Sequence, residues 1–203
     1  LEFRRVLFRS RVDVNADLAA AQITVIATDG GGTGVDIAAV TVDSLGADLV
    51  LAGAELTIDP GATLTGGGGT ATLRMRGDLA SRSIGLGSGA AGADVGISQA
   101  ELDTVDGTTS PFAELVFGFT GQQGAVTVDN GGTGIDFSAA DLVINADGVG
   151  GAVTIADGID LSGAAGRSLT VNGSDVVADP TTVGAVDRNV EIRTRGGTVT
   201  IDD

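Results

Sequence analysis

The 203 residues include 34 Gly, 11 Arg and 27 acids but no Lys, His, Cys, Tyr or Trp, and the formal net charge is −16. That inventory excludes a disulfide framework or a thiol-held metal, removes most of the usual general bases, nucleophiles and proton shuttles, and repels nucleic-acid phosphates and anionic membranes. A hydrophobic fraction of 42 % is too high for an acidic disordered tail, yet no apolar run approaches the roughly 18 residues of a membrane-spanning helix.

In chain order, the first eleven residues stand apart. They hold four of the eleven Arg (Arg4, Arg5, Arg9 and Arg11) against one acid, Glu2, and the rest of the chain carries 7 Arg against 26 acids. The opening LEFRRVLFRS shares no pattern with the remainder of the chain. Residues 1–11 are therefore set aside as a cloning- or assembly-derived or disordered segment, the alternative being a native basic amphipathic stretch. Residues 12–203 form the repeat region. It is expected to be incomplete at both ends, because the chain does not begin with Met and runs out through Thr198-Val199-Thr200-Ile201 in strand pattern.

Short strands separated by Gly, Asp and Asn turns recur from there on, and no stretch shows a helical period. Gly31-Gly32-Thr33-Gly34-Val35-Asp36-Ile37 reads as a glycine turn entering a strand, and it returns as Gly131-Gly132-Thr133-Gly134-Ile135-Asp136-Phe137. Ala47-Asp48-Leu49-Val50 returns as Ala140-Asp141-Leu142-Val143, and Thr57-Ile58, Gly61 and Leu64 return as Thr154-Ile155, Gly158 and Leu161. A tighter repeat lies inside this one. Leu115, Leu142 and Leu169 are followed two residues on by Phe117, Ile144 and Val171, with Gly124 to Val128 and Gly151 to Ile155 as the second strands. Alternation in each copy is the period-two mark of a strand with one buried face.

A single such coil cannot bury its apolar face, whereas stacked coils bury it against equivalent residues above and below. The expected fold is all-β, a right-handed parallel β-helix of roughly 20–30-residue coils. Leu115, Leu142 and Leu169 should then share one inward ladder. Tandem sandwich domains are the rival that the 100-residue duplication keeps open.

Arg82-Ser83-Ile84-Gly85-Leu86-Gly87, then Ile97-Ser98-Gln99-Ala100-Glu101-Leu102, then Gly124 to Val128 resemble the recurrent unit of filamentous-haemagglutinin-like large repetitive bacterial adhesins. The unit covers about a third of the chain. The resemblance implies a parallel β-helix, export to the bacterial surface, and a structural or adhesive role as a stalk or adhesin shaft. Partners would be host or environmental glycans or cell surfaces, met by the full-length protein, with no nucleic acid and no membrane insertion.

Three chemical readings compete with that one. The sequences over 31–39 and 131–139 resemble the calcium-binding nonapeptide of repeats-in-toxin proteins, which would make Asp36 and Asp136 ligands of a β-roll. The bulky residue, however, sits at Ile37 and Phe137 instead of at Ala38 and Ser138, and the copies lie 100 residues apart. Carboxylate pairs such as Glu101 with Asp103, or Asp157 with Asp160, suit a polysaccharide-degrading enzyme, although acids are frequent enough here to pair by chance and no Trp or Tyr platform exists. Arg74, Arg76 and Arg82, and separately Arg188, Arg193 and Arg195, could bind a carboxylated glycan or neutralise acids on a neighbouring coil; the second use is expected. Phe112, Phe117, Phe119 and Phe137 are expected in the core or in stacking contacts. No catalytic, cofactor-binding or metal-ligating residue is assigned, no cofactor is expected, and divalent cations are expected only as a diffuse atmosphere. The chain is read as a non-enzyme.

Overall fold

A computed structural model describes residues 6–8, 11–28, 34–88, 91–105, 111–137, 140–161, 167–178, 189–194 and 199–201. The chain is all-β, with 49 % strand and 3 % helix. Its strands stack as a parallel β-solenoid, as the repeat predicts. The first coil holds β1 (Val6–Phe8), β2 (Val12–Val14) and β3 (Leu18–Ala19), and the second β4 (Ile23–Ala27), β5 (Gly34–Ile37) and β6 (Thr41–Asp43). β7 (Leu49–Gly53), β8 (Glu55–Ile58) and β9 (Thr63–Thr65) make the third. The fourth holds β10 (Thr72–Gly77), β11 (Ile84–Leu86), β12 (Val95–Ile97) and a one-turn helix, α1 (Gln99–Leu102). β13 (Glu114–Gly118), β14 (Val126–Val128) and β15 (Ile135–Asp136) form the fifth coil, and β16 (Asp141–Ala146), β17 (Ala152–Ile155) and β18 (Ile159–Asp160) the sixth. β19 (Ser168–Gly173) with β20 (Asp175–Ala178), and β21 (Asn189–Thr194) with β22 (Val199–Ile201), continue the stack.

The first strands of all coils build one unbroken eight-stranded sheet in the order β1-β4-β7-β10-β13-β16-β19-β21, here called the first face. Its inward positions repeat in register. Ile23, Leu49, Leu73, Leu115, Leu142 and Leu169 form one column, and Val25, Leu51, Met75, Phe117, Ile144 and Val171 a second. All twelve are buried. The expected ladder of Leu115, Leu142 and Leu169 is thus present, three coils longer than the 27-residue repeat announces. Branched and straight aliphatic chains suffice because adjacent strands lie only about 4.8 Å apart, so each residue covers its equivalent in the next coil. Phe117 meets Phe137 edge-to-face across the interior, with ring centroids 5.7 Å apart, and Phe112 is buried as well. Phe119 is half-exposed.

Three expectations need correction. Coil length, taken from the register, is 26 residues from Ile23 to Leu49, 24 to Leu73 and 27 at each of the next two regular steps, but 42 from Leu73 to Leu115. The expectation of 20–30 therefore fails at the fourth coil. A helix exists where none was expected. The long duplication is also only partly structural. Asp48 and Asp141 do occupy equivalent places at the entry to first-face strands, but Asp36 lies in the sheet β2-β5-β8 while Asp136 lies in the pair β15-β18. Drift in turn length moves the second copy to a different side of the coil. Val6–Phe8, set aside with the opening segment, pairs in parallel with Val25–Ala27. Gly31 to Thr33, Ser138, Arg188 and Arg195 lie outside the described residues. Among the described residues no helix is long and apolar enough to cross a membrane.

Truncating one rung of the first-face ladder removes contacts to both neighbouring coils. Leu142→Ala should lower unfolding free energy by about 2–5 kcal/mol in chemical denaturation, whereas Val149→Ala, at a residue 91 % exposed, should change it by no more than about 0.5 kcal/mol.

Candidate functional site

The fourth coil is where the solenoid departs from its own rule, and insertions into a repeat commonly carry what the repeat does not. After β11 the chain runs out through Gly87 and Ser88 and comes back through Ala91 to Asp94, so that β12 pairs in parallel with β11 of the same coil: Ile84 with Val95, Gly85 with Gly96, Leu86 with Ile97. Parallel neighbours normally need a longer crossover. Here a loop built only of Gly, Ala, Ser and Asp makes the return. Gly87 has φ +92°, and a Cβ there would sit 2.4 Å from the Asp129 carbonyl oxygen, so no other residue fits.

Asp94 closes the base of the excursion. Its Oδ2 accepts from the Ser83 amide and from Ser83 Oγ, each at 2.8 Å, and its own amide donates to Ser83 Oγ at 2.9 Å. Arg82 joins in, with Nη1 3.6 Å from Asp94 and Nε 3.1 Å from Asp78, whose side chain is 2 % exposed. The Ser83 donors and the Arg82 charge hold the Asp94 carboxyl below the usual carboxylate range, the Ser83 amide being the largest influence.

Beyond β12 the chain turns into α1. Ser98 caps it, accepting from the Glu101 amide, while Glu101 Oε2 accepts from the Ser98 amide at 2.8 Å, a reciprocal capping box. The same Glu101 accepts through Oε1 from the Ile58 amide of the third coil at 3.0 Å. Towards the fifth coil, the Gln99 side-chain amide takes both backbone groups of Asp136: Oε1 accepts from its N–H at 3.0 Å and Nε2 donates to its C=O at 3.3 Å. α1 thus replaces a strand. Its side chains satisfy the backbone groups that a missing neighbour would have met, and Leu102 seals the interior. Val105 then returns to pair with Leu64 of β9. No sheet bonding joins β8 to β12, although they lie in contact, so the hydrogen-bond ladder is interrupted on this side while the first face runs through.

The motif residues all find places here. Ile84, Leu86 and Ile97 are buried, and Arg82, Gly87, Ser98 and Glu101 do the work just described. The S-x-x-E signature at Ser98–Glu101 was readable in the sequence and predicts the helix start. So was the near-duplicate of Ile84-Gly85-Leu86 in Val95-Gly96-Ile97, which signals a doubled strand.

The candidate acids are mostly engaged with backbone. Asp17 accepts from the Thr41 amide at 2.8 Å, Asp48 from Thr72 at 3.0 Å, Asp141 from Ser168 at 2.8 Å and Asp147 from Gly121 at 2.6 Å, each on an adjacent coil. Asp157 takes the amides of Asn130 and Gly132, the latter at 3.0 Å from Oδ2. These donors, Gly132 first, hold its carboxyl below the ordinary range. The GGTG turn at 131–134 therefore presents amides to a carboxylate, which is the polarity of an anion receptor. Asp36 is ion-paired with Arg11, which also binds Asp13 at 2.7 Å. Of the carboxylate pairs, Glu101 is occupied by the helix cap and Ile58, and Asp103 accepts from Gln99 at 2.7 Å. Asp160 stands opposite Asp136 in the β15-β18 pair. No group of three or more acids among the described residues is arranged to hold a metal ion. Arg74 lies 4.0 Å from Asp48 on the preceding coil, the neutralisation expected. Arg82 instead pairs within its own coil, and Arg76 lies over the Phe119 ring at 5.0 Å. No family model matches the chain, nor does any curated protein or solved structure.

Two measurements test these roles. Folded-state values below the unfolded ones mean that Asp94 and Asp157 add stability that is fully present above about pH 4 and is lost as pH falls through the lowered values. Melting temperature should accordingly fall on acidification below about pH 4, and Asp157→Asn should flatten that fall. Glu101→Ala orphans the Ile58 amide and uncaps α1, and should cost about 1–3 kcal/mol in urea unfolding, against about 0.5 kcal/mol or less for Asp103→Ala.

Proposed function

We propose that this chain is a length of shaft from a large secreted bacterial surface protein, serving as a stalk or adhesive segment rather than as an enzyme. One observation carries the reading: an unbroken eight-stranded parallel sheet whose coils are clamped to each other by carboxylates. Such a body gains length by about 4.8 Å per coil and keeps its side faces regular. Of the acids that could have formed a reaction centre, Glu101 and Asp157 are bound to backbone amides and Asp103 to the Gln99 side chain. The likeness of Arg82–Gly87, Ile97–Leu102 and Gly124–Val128 to filamentous-haemagglutinin-like adhesins supports the same reading and supplies its surface location. Partners are then glycans or cell surfaces.

Binding of the purified chain to a glycan array and to host cells tests the adhesive role. Hits support it, an array without hits leaves a spacer, and saturable turnover of pectate or alginate would overturn the non-enzyme reading. Calcium separates the shaft from a calcium-loaded β-roll. Calcium and magnesium should raise the melting temperature alike and gradually, as screening does. A coil-to-β transition at defined calcium stoichiometry, lost in Asp36→Ala and Asp136→Ala, would overturn the shaft reading.

A further inference from the structure

The solenoid does not hold the same number of rungs on every side. Between β7 and β13 the first face carries one strand, β10. Between β8 and β14, on the next side of the coil, there are two, β12 and β11. Both belong to the wall, because Val95, Ile97, Ile84 and Leu86 are all buried. A rung takes about 4.8 Å, so ladders of unequal length cannot both run unbroken through one straight stack. The break falls between β8 and β12, which touch without sharing a ladder. Leu56 and Ile58 are buried there, and the bond from the Ile58 amide to Glu101 Oε1, at 3.0 Å, crosses the seam. Glu101 is itself tied down through Oε2, which accepts from the Ser98 amide and hydroxyl at 2.8 Å each. The first face is fully bonded at the same junction: Leu49 to Gly53 pair with Leu73 to Gly77, and the Asp78 amide donates to Gly53 O at 3.1 Å. On the third side the Leu64 amide donates to Thr104 O at 2.9 Å. Just beyond Leu64 the chain crosses from the third coil to the fourth through Gly66 to Gly69, with φ of +68°, +131° and +78° at the last three.

We propose that this junction is a hinge: the first face is its spine, the glycine crossing its pivot, and Glu101 the latch that holds the seam shut. Hinges work through a few residues that absorb backbone rotation, and the crossing supplies a run of them. Apolar burial at the seam is non-directional, so the charge-assisted bond of Glu101 fixes how β8 sits against β12. Opening tilts the first three coils as one block, because each block keeps its own ladders, β2-β5-β8 in one and β12-β11-β14-β17-β20 in the other. Its cost is local. Between the fifth and sixth coils, by contrast, opening would have to break the β14-β17 and β15-β18 pairs. The hinge rests on the fold and not on the adhesive reading.

The test is a distance measurement by double electron–electron resonance on the whole chain, which has no Cys of its own to compete for spin labels. One pair, Thr57→Cys with Val177→Cys, spans the seam along the side of β8, β12, β11, β14, β17 and β20. The other, Thr24→Cys with Thr170→Cys, spans the same junction along the first face. Each pair is separated by five rungs, about 24 Å. The first-face pair should give one narrow distribution, and the seam pair one about twice as wide that extends to longer distances. Glu101→Ala should move the seam pair further towards long distances and leave the first-face pair as it was. Ser98→Ala weakens the cap of α1 but keeps Glu101 on Ile58, and should change neither pair. Thermal melting checks each variant's fold, and the two pairs in the otherwise unaltered chain carry the test if Glu101→Ala melts early. Equal widths for the two pairs, no response of the seam pair in a folded Glu101→Ala variant, or the same response to Ser98→Ala would overturn the hinge. Glycan and cell binding are read separately, so none of these outcomes decides the adhesive reading.

Discussion

In-register parallel stacking is the constraint on which the rest of this structure depends. Once strands repeat at about 4.8 Å, every inward position must be filled by a residue that packs against its own equivalent. Every coil corner also leaves backbone amides that the next coil cannot automatically meet. Aliphatic side chains answer the first demand. Asp answers the second, because its short carboxylate reaches an amide one coil away, as Asp48 does for Thr72 and Asp141 for Ser168. Part of the chain's acidity is therefore architectural: Asp17, Asp48, Asp141, Asp147, Asp157 and Glu101 act as clamps between coils.

The same constraint explains what was legible in advance and what was not. Leu115, Leu142 and Leu169 could be placed on one ladder because their spacing is constant and alternation fixes which way they point. That Arg74 would neutralise an acid on a neighbouring coil was also expected; which acid, Asp48, is read from the structure. The fourth coil was opaque for the opposite reason. Its 42 residues break the spacing on which the reading depended, and strand-like composition on either side hid a helix of one turn. Ser98 and Glu101 announced the cap locally, but a periodicity search does not weigh a four-residue signal. Asp36 and Asp136 look alike in sequence and lie in different sheets, since a few residues gained or lost in turns change which side of the coil a motif reaches.

How α1 is accommodated shows the tolerance of such a stack. One side keeps its ladder through the fourth coil, while another gives up strand pairing and lets Gln99 and Glu101 imitate backbone partners. Irregularity is thus confined to one side of the coil, and the first face remains a continuous, regular surface.

The paired strands β11 and β12 have a consequence for how the chain folds. Solenoids grow by adding neighbours, so the delay at each step is the closing of one coil. Closing 42 residues instead of 27 costs only about 0.4 kcal/mol more in loop entropy, which is too little to matter. Choice matters more. Ile84-Gly85-Leu86 and Val95-Gly96-Ile97 present the same alternation, so an incoming β14 meets two similar templates, and its flanks distinguish them: the Gln123 and Gly124 amides donate to Ala80 O, and Asn130 accepts from the Ser88 amide, all beside β11. The fourth coil is accordingly the point where a growing stack has a second register to reject, and the residues bordering the paired strands carry that choice.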